Sequence, residues 1–170
     1  HQWFGNLVTM KWWDDLWLNE SFASIMENIA PNALHPDWNV WLDFDTSSAV
    51  VASRRDAIDG VPSVQTEVNH PDEIQSIFDG AIVYSKGARL IRMMIDYIGE
   101  DAFRAGLKTY FTKFAYQNTT EKDLWDCLDT ASGKDVSKLM TAWISQPGYP
   151  VVAATLSDGA LTLSQTQFFV

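Results

Sequence analysis

Apolar positions recur at helical spacing along most of the chain. From Asp14 to about Ala30, Leu16, Phe22, Ile25, Met26 and Ile29 predict a first helix, with Glu20 in its early turns and Pro31 as its stop. The stretch from Pro31 to Asn39, with two prolines and two asparagines, predicts a break. Val40, Trp41, Phe44 and the run SSAVVASRRDAI resume the pattern and predict a second helix ending near Gly60. GVPSVQTEVNHPDE, interrupted by Pro62 and Pro71, reads as an irregular or briefly extended crossing. A third helix is predicted over Asp79 to Ile98, stopped by Gly99, and a fourth over Asp101 to Tyr116. TTEKDLWDCLDTAS gives a fifth, with Thr120 and Asp123 spaced as a capping box, and DVSKLMTAWI a sixth, closed by QPGYP.

After Pro150 the period changes from 3.6 to 2. VVAATLSDGALTLSQTQFFV alternates apolar and polar residues around an Asp-Gly pair, the signature of a β-hairpin. The predicted fold class is therefore mainly α, with a short C-terminal hairpin. The switch of period divides the chain into a helical part, 1–148, and a segment, 149–170, expected to supply the first strands of a following β domain.

Composition narrows the function classes. A chain of 170 residues that is 46% apolar, with eight Trp, can bury a core of its own and is not disordered. A net charge of −10, from 12 basic and 22 acidic residues without a Lys or Arg cluster, argues against nucleic acid as a partner. No apolar run approaches the roughly 20 residues of a membrane span, so no membrane partner is expected. A single cysteine, Cys127, forms no internal disulfide, and a cytoplasmic setting is expected. Trp12, Trp13, Trp17, Trp38 and Trp41 read as packing residues rather than a ligand platform. Such bulk, once short of cover, predicts self-association of the isolated chain.

Few residues can carry chemistry. His35 and His70 both precede proline in loops, where an imidazole is solvated or bonded to backbone. His1 and Glu20 have eighteen residues between them, a spacing that chance supplies readily. What distinguishes Glu20 is its place in WLNESFA, inside the apolar periodicity of a helix. A carboxylate buried there must be paired or metal-bound, whereas one on the outer face is an ordinary surface glutamate.

HQWFGNLVT, WWDDLWLNESFA, DGAIVYSKGARLIRMM and the stretch from FRAGLKTYFTKFAYQN to WISQPGYPVV together resemble the zinc metallo-aminopeptidases of the aminopeptidase N type. Their signature is His-Glu-x-x-His followed after 18 residues by Glu, which holds zinc between two histidines on one helical face and a glutamate of the next helix. The resemblance implies that this sequence begins on the second histidine, so that His1 and Glu20 are two of three zinc ligands. The first histidine and the general-base glutamate would lie just upstream. Tyr84 matches the family's catalytic tyrosine; its implied role is to donate a hydrogen bond to the oxyanion, since a phenol stays protonated at neutral pH.

By the same resemblance the fold is the C-terminal helical part of a thermolysin-like catalytic domain, the cofactor is Zn2+ and the substrates are peptides that lose N-terminal amino acids. The implied partners are the upstream half of the catalytic domain and downstream domains of the same polypeptide, and the 170 residues alone are expected to be inactive. The family's amine-binding Gly-x-Met-Glu-Asn segment is absent from these residues, so exopeptidase specificity over a related endopeptidase is implied by family alone. Ser21 departs from the pattern, standing where much of the family has Gly. Lys86 and Arg89 read as surface or helix-pairing charges. A reading from another class is a non-catalytic helical interaction module on the same scaffold, with His1 and Glu20 as relics.

Overall fold

Apolar stripes at helical spacing need a partner face, and here they find one another. The computed structural model describes residues 1–170. Its helices are α1 (Trp17–Leu34), α2 (Val40–Thr46), α3 (Ser48–Asp56), α4 (Gly87–Ile98), α5 (Glu100–Phe114), α6 (Glu121–Ser132) and α7 (Val136–Ile144). Two short parallel strands, β1 (Val8–Met10) and β2 (Gln117–Thr119), and a C-terminal antiparallel pair, β3 (Tyr149–Ser157) and β4 (Ala160–Phe168), complete it. The mainly α architecture with a terminal hairpin agrees with the sequence reading. No helix is long and apolar enough to cross a membrane.

Three helix boundaries differ from expectation. Pro31 does not stop α1, which continues to Leu34. A proline that near the C-terminal end forfeits only one helical hydrogen bond, and the last turn is closed by His35 N–H on the Pro31 carbonyl at 2.7 Å. The expected single helix from Val40 to Gly60 is two, broken at Ser47. There the Thr46 and Ser47 hydroxyls donate back to the Leu42 and Asp43 carbonyls at 2.7 and 2.6 Å, competing with the backbone ladder. The expected helix from Asp79 to Ile98 opens with a π-helical segment, Gly80–Lys86, before α4 begins.

Other signals translate directly. The Asp123 carboxylate accepts from Thr120 N–H at 2.9 Å and from the Thr120 hydroxyl at 3.0 Å, fixing the start of α6. At the hairpin tip Asp158 and Gly159 both take positive φ, 51° and 77°, as a two-residue primed turn requires. The β1–β2 ladder, which pairs Val8 with Gln117 and Met10 with Thr119, has no expected counterpart because three residues are too few to display a period.

The core joins α1, α4, α5, α6 and α7. Trp17 of α1 stacks on Trp125 of α6, ring centroids 5.2 Å apart, both almost fully buried. Phe22 of α1 stacks on Phe4 at 4.3 Å, which pins the segment carrying His1 to the helix carrying Glu20. Trp13 and Trp41 are half-buried, while Trp12 and Trp38 are exposed at 46% and 61%. Trp12 nonetheless donates its indole N–H to the Val68 carbonyl at 2.7 Å, and Trp38 stacks on His35.

Candidate functional site

The chain before α1 turns back on itself, with Asn6, Leu7 and Val8 N–H groups bonded to the carbonyls of His1, Gln2 and Trp3 at 2.9, 3.1 and 3.1 Å. This wide turn holds His1 over the first turns of α1. The imidazole Nδ1 lies 3.0 Å from the Phe4 carbonyl oxygen, an acceptor only, so Nδ1 carries the proton and donates it. Nε2 is then left facing the Glu20 carboxylate at 3.1 Å.

Glu20 is framed by two buried neighbours on α1. Asn19 donates to the Thr9 hydroxyl at 3.0 Å, and the Ser21 hydroxyl donates to the Val83 carbonyl at 2.5 Å. Ser21 is thus fully buried, a tie between α1 and the π-helical segment rather than a passive small residue. Further back, the buried Asp15 carboxylate accepts from Trp17 Nε1, Gln65 Nε2 and Glu121 N–H at 3.2, 2.8 and 3.0 Å, locking the start of α1. With its helix fixed in this way, Glu20 keeps a side chain only 12% exposed and directed at His1.

Tyr84 comes from the π-helical segment. Asp79 caps it, its carboxylate accepting from Ala81 and Ile82 N–H at 3.0 and 3.3 Å. The phenol is pushed up to about 12 by partial burial and then by the neighbouring Glu20 carboxylate, so it is a protonated donor throughout the neutral range. His1, Glu20 and Tyr84 line one open recess of about 540 Å³ together with Trp3, Met26 and Glu27. The three residues singled out in the sequence are therefore brought together, although 83 positions separate the first from the last.

The donor chemistry fits a zinc ion. Two lone-pair donors, an imidazole nitrogen and a carboxylate oxygen, face each other at 3.1 Å, which requires a positive charge between them, a proton or a cation. Nitrogen and carboxylate oxygen are zinc donors, and a second-sphere bond from Nδ1–H to a backbone carbonyl is the usual means of orienting such a histidine. No group of three His, Cys, Asp or Glu converges anywhere in these residues, and His1 and Glu20 face each other as a pair.

The remaining candidates lie elsewhere. His35 stacks on Trp38, and His70 Nδ1 accepts from Asp72 N–H at 3.3 Å, both outside the recess. Arg89 is a surface charge paired with Asp45 at 2.9 Å. Lys86 is not one: it is 6% exposed and its ammonium donates to Asp56 at 2.8 Å and to the Gln146 and Gly148 carbonyls at 3.1 and 3.2 Å. Its partners lie 30 to 62 residues away, so no local pattern distinguished it from a surface lysine.

Comparison with known proteins came to a consistent result. Residues 1–143 match the sequence model of the peptidase family M1 domain. The aminopeptidase N of Lactococcus lactis subsp. lactis is 58% identical over 171 residues, covering 100% of this chain and 20% of that protein. The aminopeptidase N of Lactobacillus helveticus is 54% identical over 171 residues, with the same coverage. The aminopeptidase M1-A of Oryza sativa subsp. japonica is 48% identical over 168 residues, covering 99% of this chain and 19% of that protein. The chain thus spans about a fifth of the length of the relatives it matches.

Proposed function

The chain belongs to the peptidase M1 family, and on that premise we propose that it is part of a zinc-dependent aminopeptidase that removes N-terminal residues from peptides. The observation that carries this reading is the convergence of His1, Glu20 and Tyr84 on one recess. His1 and Glu20 are two of the zinc ligands. The third ligand and the general base come from polypeptide outside these residues, as does the group that selects a free α-amine. The buried Asn19 Oδ1, adjacent to Glu20 and without a partner in this chain, is consistent with such a covering segment.

When bound, zinc supplies Lewis-acid polarisation of the scissile carbonyl and an activated water at neutral pH. This chain's own residues prepare the site for it. Phe4 fixes the His1 tautomer, so that Nε2 keeps its lone pair toward the recess. Glu20 adds a negative charge in a place only partly open to water. Tyr84, kept protonated by its surroundings, donates its phenolic hydrogen to the oxygen on which charge develops.

Residues 1–148 make up the helical part of the thermolysin-like catalytic domain, and 149–170 open the β-sandwich domain that follows. Peptides, the upstream half of the catalytic domain and the downstream domains are the partners, and the free, buried Cys127 accords with a cytoplasmic setting. The 170 residues alone are inactive, because two donors without a third hold zinc weakly. The test is hydrolysis of aminoacyl p-nitroanilides by the whole polypeptide. Activity is expected to disappear with a chelator and return with Zn2+, and Tyr84→Phe is expected to lower kcat by about 10²-fold. A Tyr84→Phe variant as active as its parent would exclude the role given to the phenol, and a whole polypeptide without activity would leave a binding scaffold.

A further inference from the structure

The π-helical segment that carries Tyr84 is gripped at both ends by consecutive residues of one helix. At its start, Arg55 Nε donates to Asp79 Oδ2 at 2.9 Å, while the other oxygen of Asp79 caps the segment. At its end, Asp56 meets the Lys86 ammonium at 2.8 Å in a pair that is almost wholly buried. Arg55 and Asp56 occupy the last turn of α3, and no sequence motif marks them.

The grip at the Lys86 end is fully satisfied. Lys86 has three N–H donors and three acceptors: Asp56 and the carbonyls of Gln146 and Gly148. Asp56 Oδ1 also accepts from Gly148 N–H at 2.8 Å. The linker that leads into β3 is thereby tied to the same node. A π-helical segment is rare and seldom extends beyond one turn, and here contacts from α3 hold both of its ends. A buried charge pair is an inefficient source of stability compared with apolar packing, but here it joins α3, the end of the π-helical segment and the linker to β3 at one hydrogen-bonded node.

We propose that Arg55 and Asp56 are positioning residues for Tyr84, holding both ends of its π-helical segment so that the phenol stays beside Glu20. Neither touches the recess; both act through the backbone of residues 79–86. The catalytic side of this proposal rests on Tyr84 being the oxyanion donor, whereas the grip itself does not.

Two readouts test it in the whole polypeptide. The first is hydrogen exchange at the amides of residues 80–87, followed by mass spectrometry. Arg55→Gln and Asp56→Asn are expected to speed exchange there by on the order of 10-fold, leaving α5 and α6 unchanged, as local opening without global unfolding requires. Arg55→Lys is expected to recover part of the protection. The second readout is steady-state kinetics, where each loss variant is expected to lower kcat by about 10-fold with KM within about 2-fold, because only the placement of a transition-state donor is disturbed. Should Asp56→Asn prevent folding, Asp56→Leu combined with Lys86→Met removes both charges at similar volume, and Arg55→Gln still reads the other end.

Exchange that rises equally throughout the chain, or a kcat that stays at the parent value, would overturn the proposal. If the parent polypeptide hydrolyses no aminoacyl substrate, the peptidase reading fails. The exchange measurement then still decides whether Arg55 and Asp56 hold the Tyr84 segment.

Discussion

Ser21 and Gly87 face each other where α1 meets the start of α4. A Cβ at Gly87 would lie 1.9 Å from Ser21 Oγ and 2.7 Å from Ser21 Cβ, so the serine makes glycine obligatory across the interface. Gly87→Ala is therefore expected to destabilise the chain by about 2 kcal/mol through overpacking. Removing the serine side chain removes the clash, and in a Ser21→Gly background Gly87→Ala is expected to be nearly neutral, helped by alanine's better helix propensity. Urea unfolding of the four combinations reads this as a coupling of at least about 1 kcal/mol; simple additivity would contradict the contact. At this scale the sequence marked His1, Glu20 and Tyr84 because their neighbours spell a motif. It left Ser21 and Lys86 looking ordinary because their partners, the Val83 carbonyl and Asp56, are 62 and 30 positions away.

Among elements, the least expected is the β1–β2 ladder, and it is held from the side by α5. The Tyr110 hydroxyl of α5 bonds the Thr119 hydroxyl of β2 at 2.6 Å, both buried. Burial pushes this phenol up to about 12 from an ordinary 10.0. Its neutral form is thus favoured in the folded state, which binds more protons than the unfolded chain between those two values. The contribution is fully present below about pH 10 and is lost as pH rises toward 12. Stability is expected to fall by about 1 kcal/mol between pH 9 and pH 11 on this account alone. Comparing denaturant midpoints of the parent and Tyr110→Phe at both pH values checks it: equal slopes in the two proteins would remove Tyr110 from the explanation. Element existence was legible where apolar periods run for three turns or more, as in α4 to α6. Boundaries were not, because the hydroxyls of Thr46 and Ser47, the π-helical opening before α4 and the tolerated Pro31 are settled by local bonding that a period does not record.

For the whole molecule, apolar bulk outside the core sets the expected behaviour of the chain by itself. Trp3, Leu34, Trp38 and Leu42 are each about 60% exposed or more, and both strands of the hairpin present Val151, Val152, Leu161 and Leu163 to solvent. Against this, a net charge of −10 opposes association. Burial of apolar area is short-ranged and survives salt, whereas charge repulsion is screened. Light scattering is expected to find dimers or larger species that increase from low to high salt; a monomer at every salt and protein concentration would contradict this. The sequence by itself determined the helical class, the hairpin and the identity of the three recess residues, since periodicity, turn chemistry and motif are local or nearly so. Only the tertiary structure decided that Lys86 is buried, that Ser21 dictates Gly87 and that Arg55 and Asp56 grip the tyrosine segment. Burial and pairing are properties of groups brought together from distant parts of the chain, and a side chain's type does not say what it will meet there.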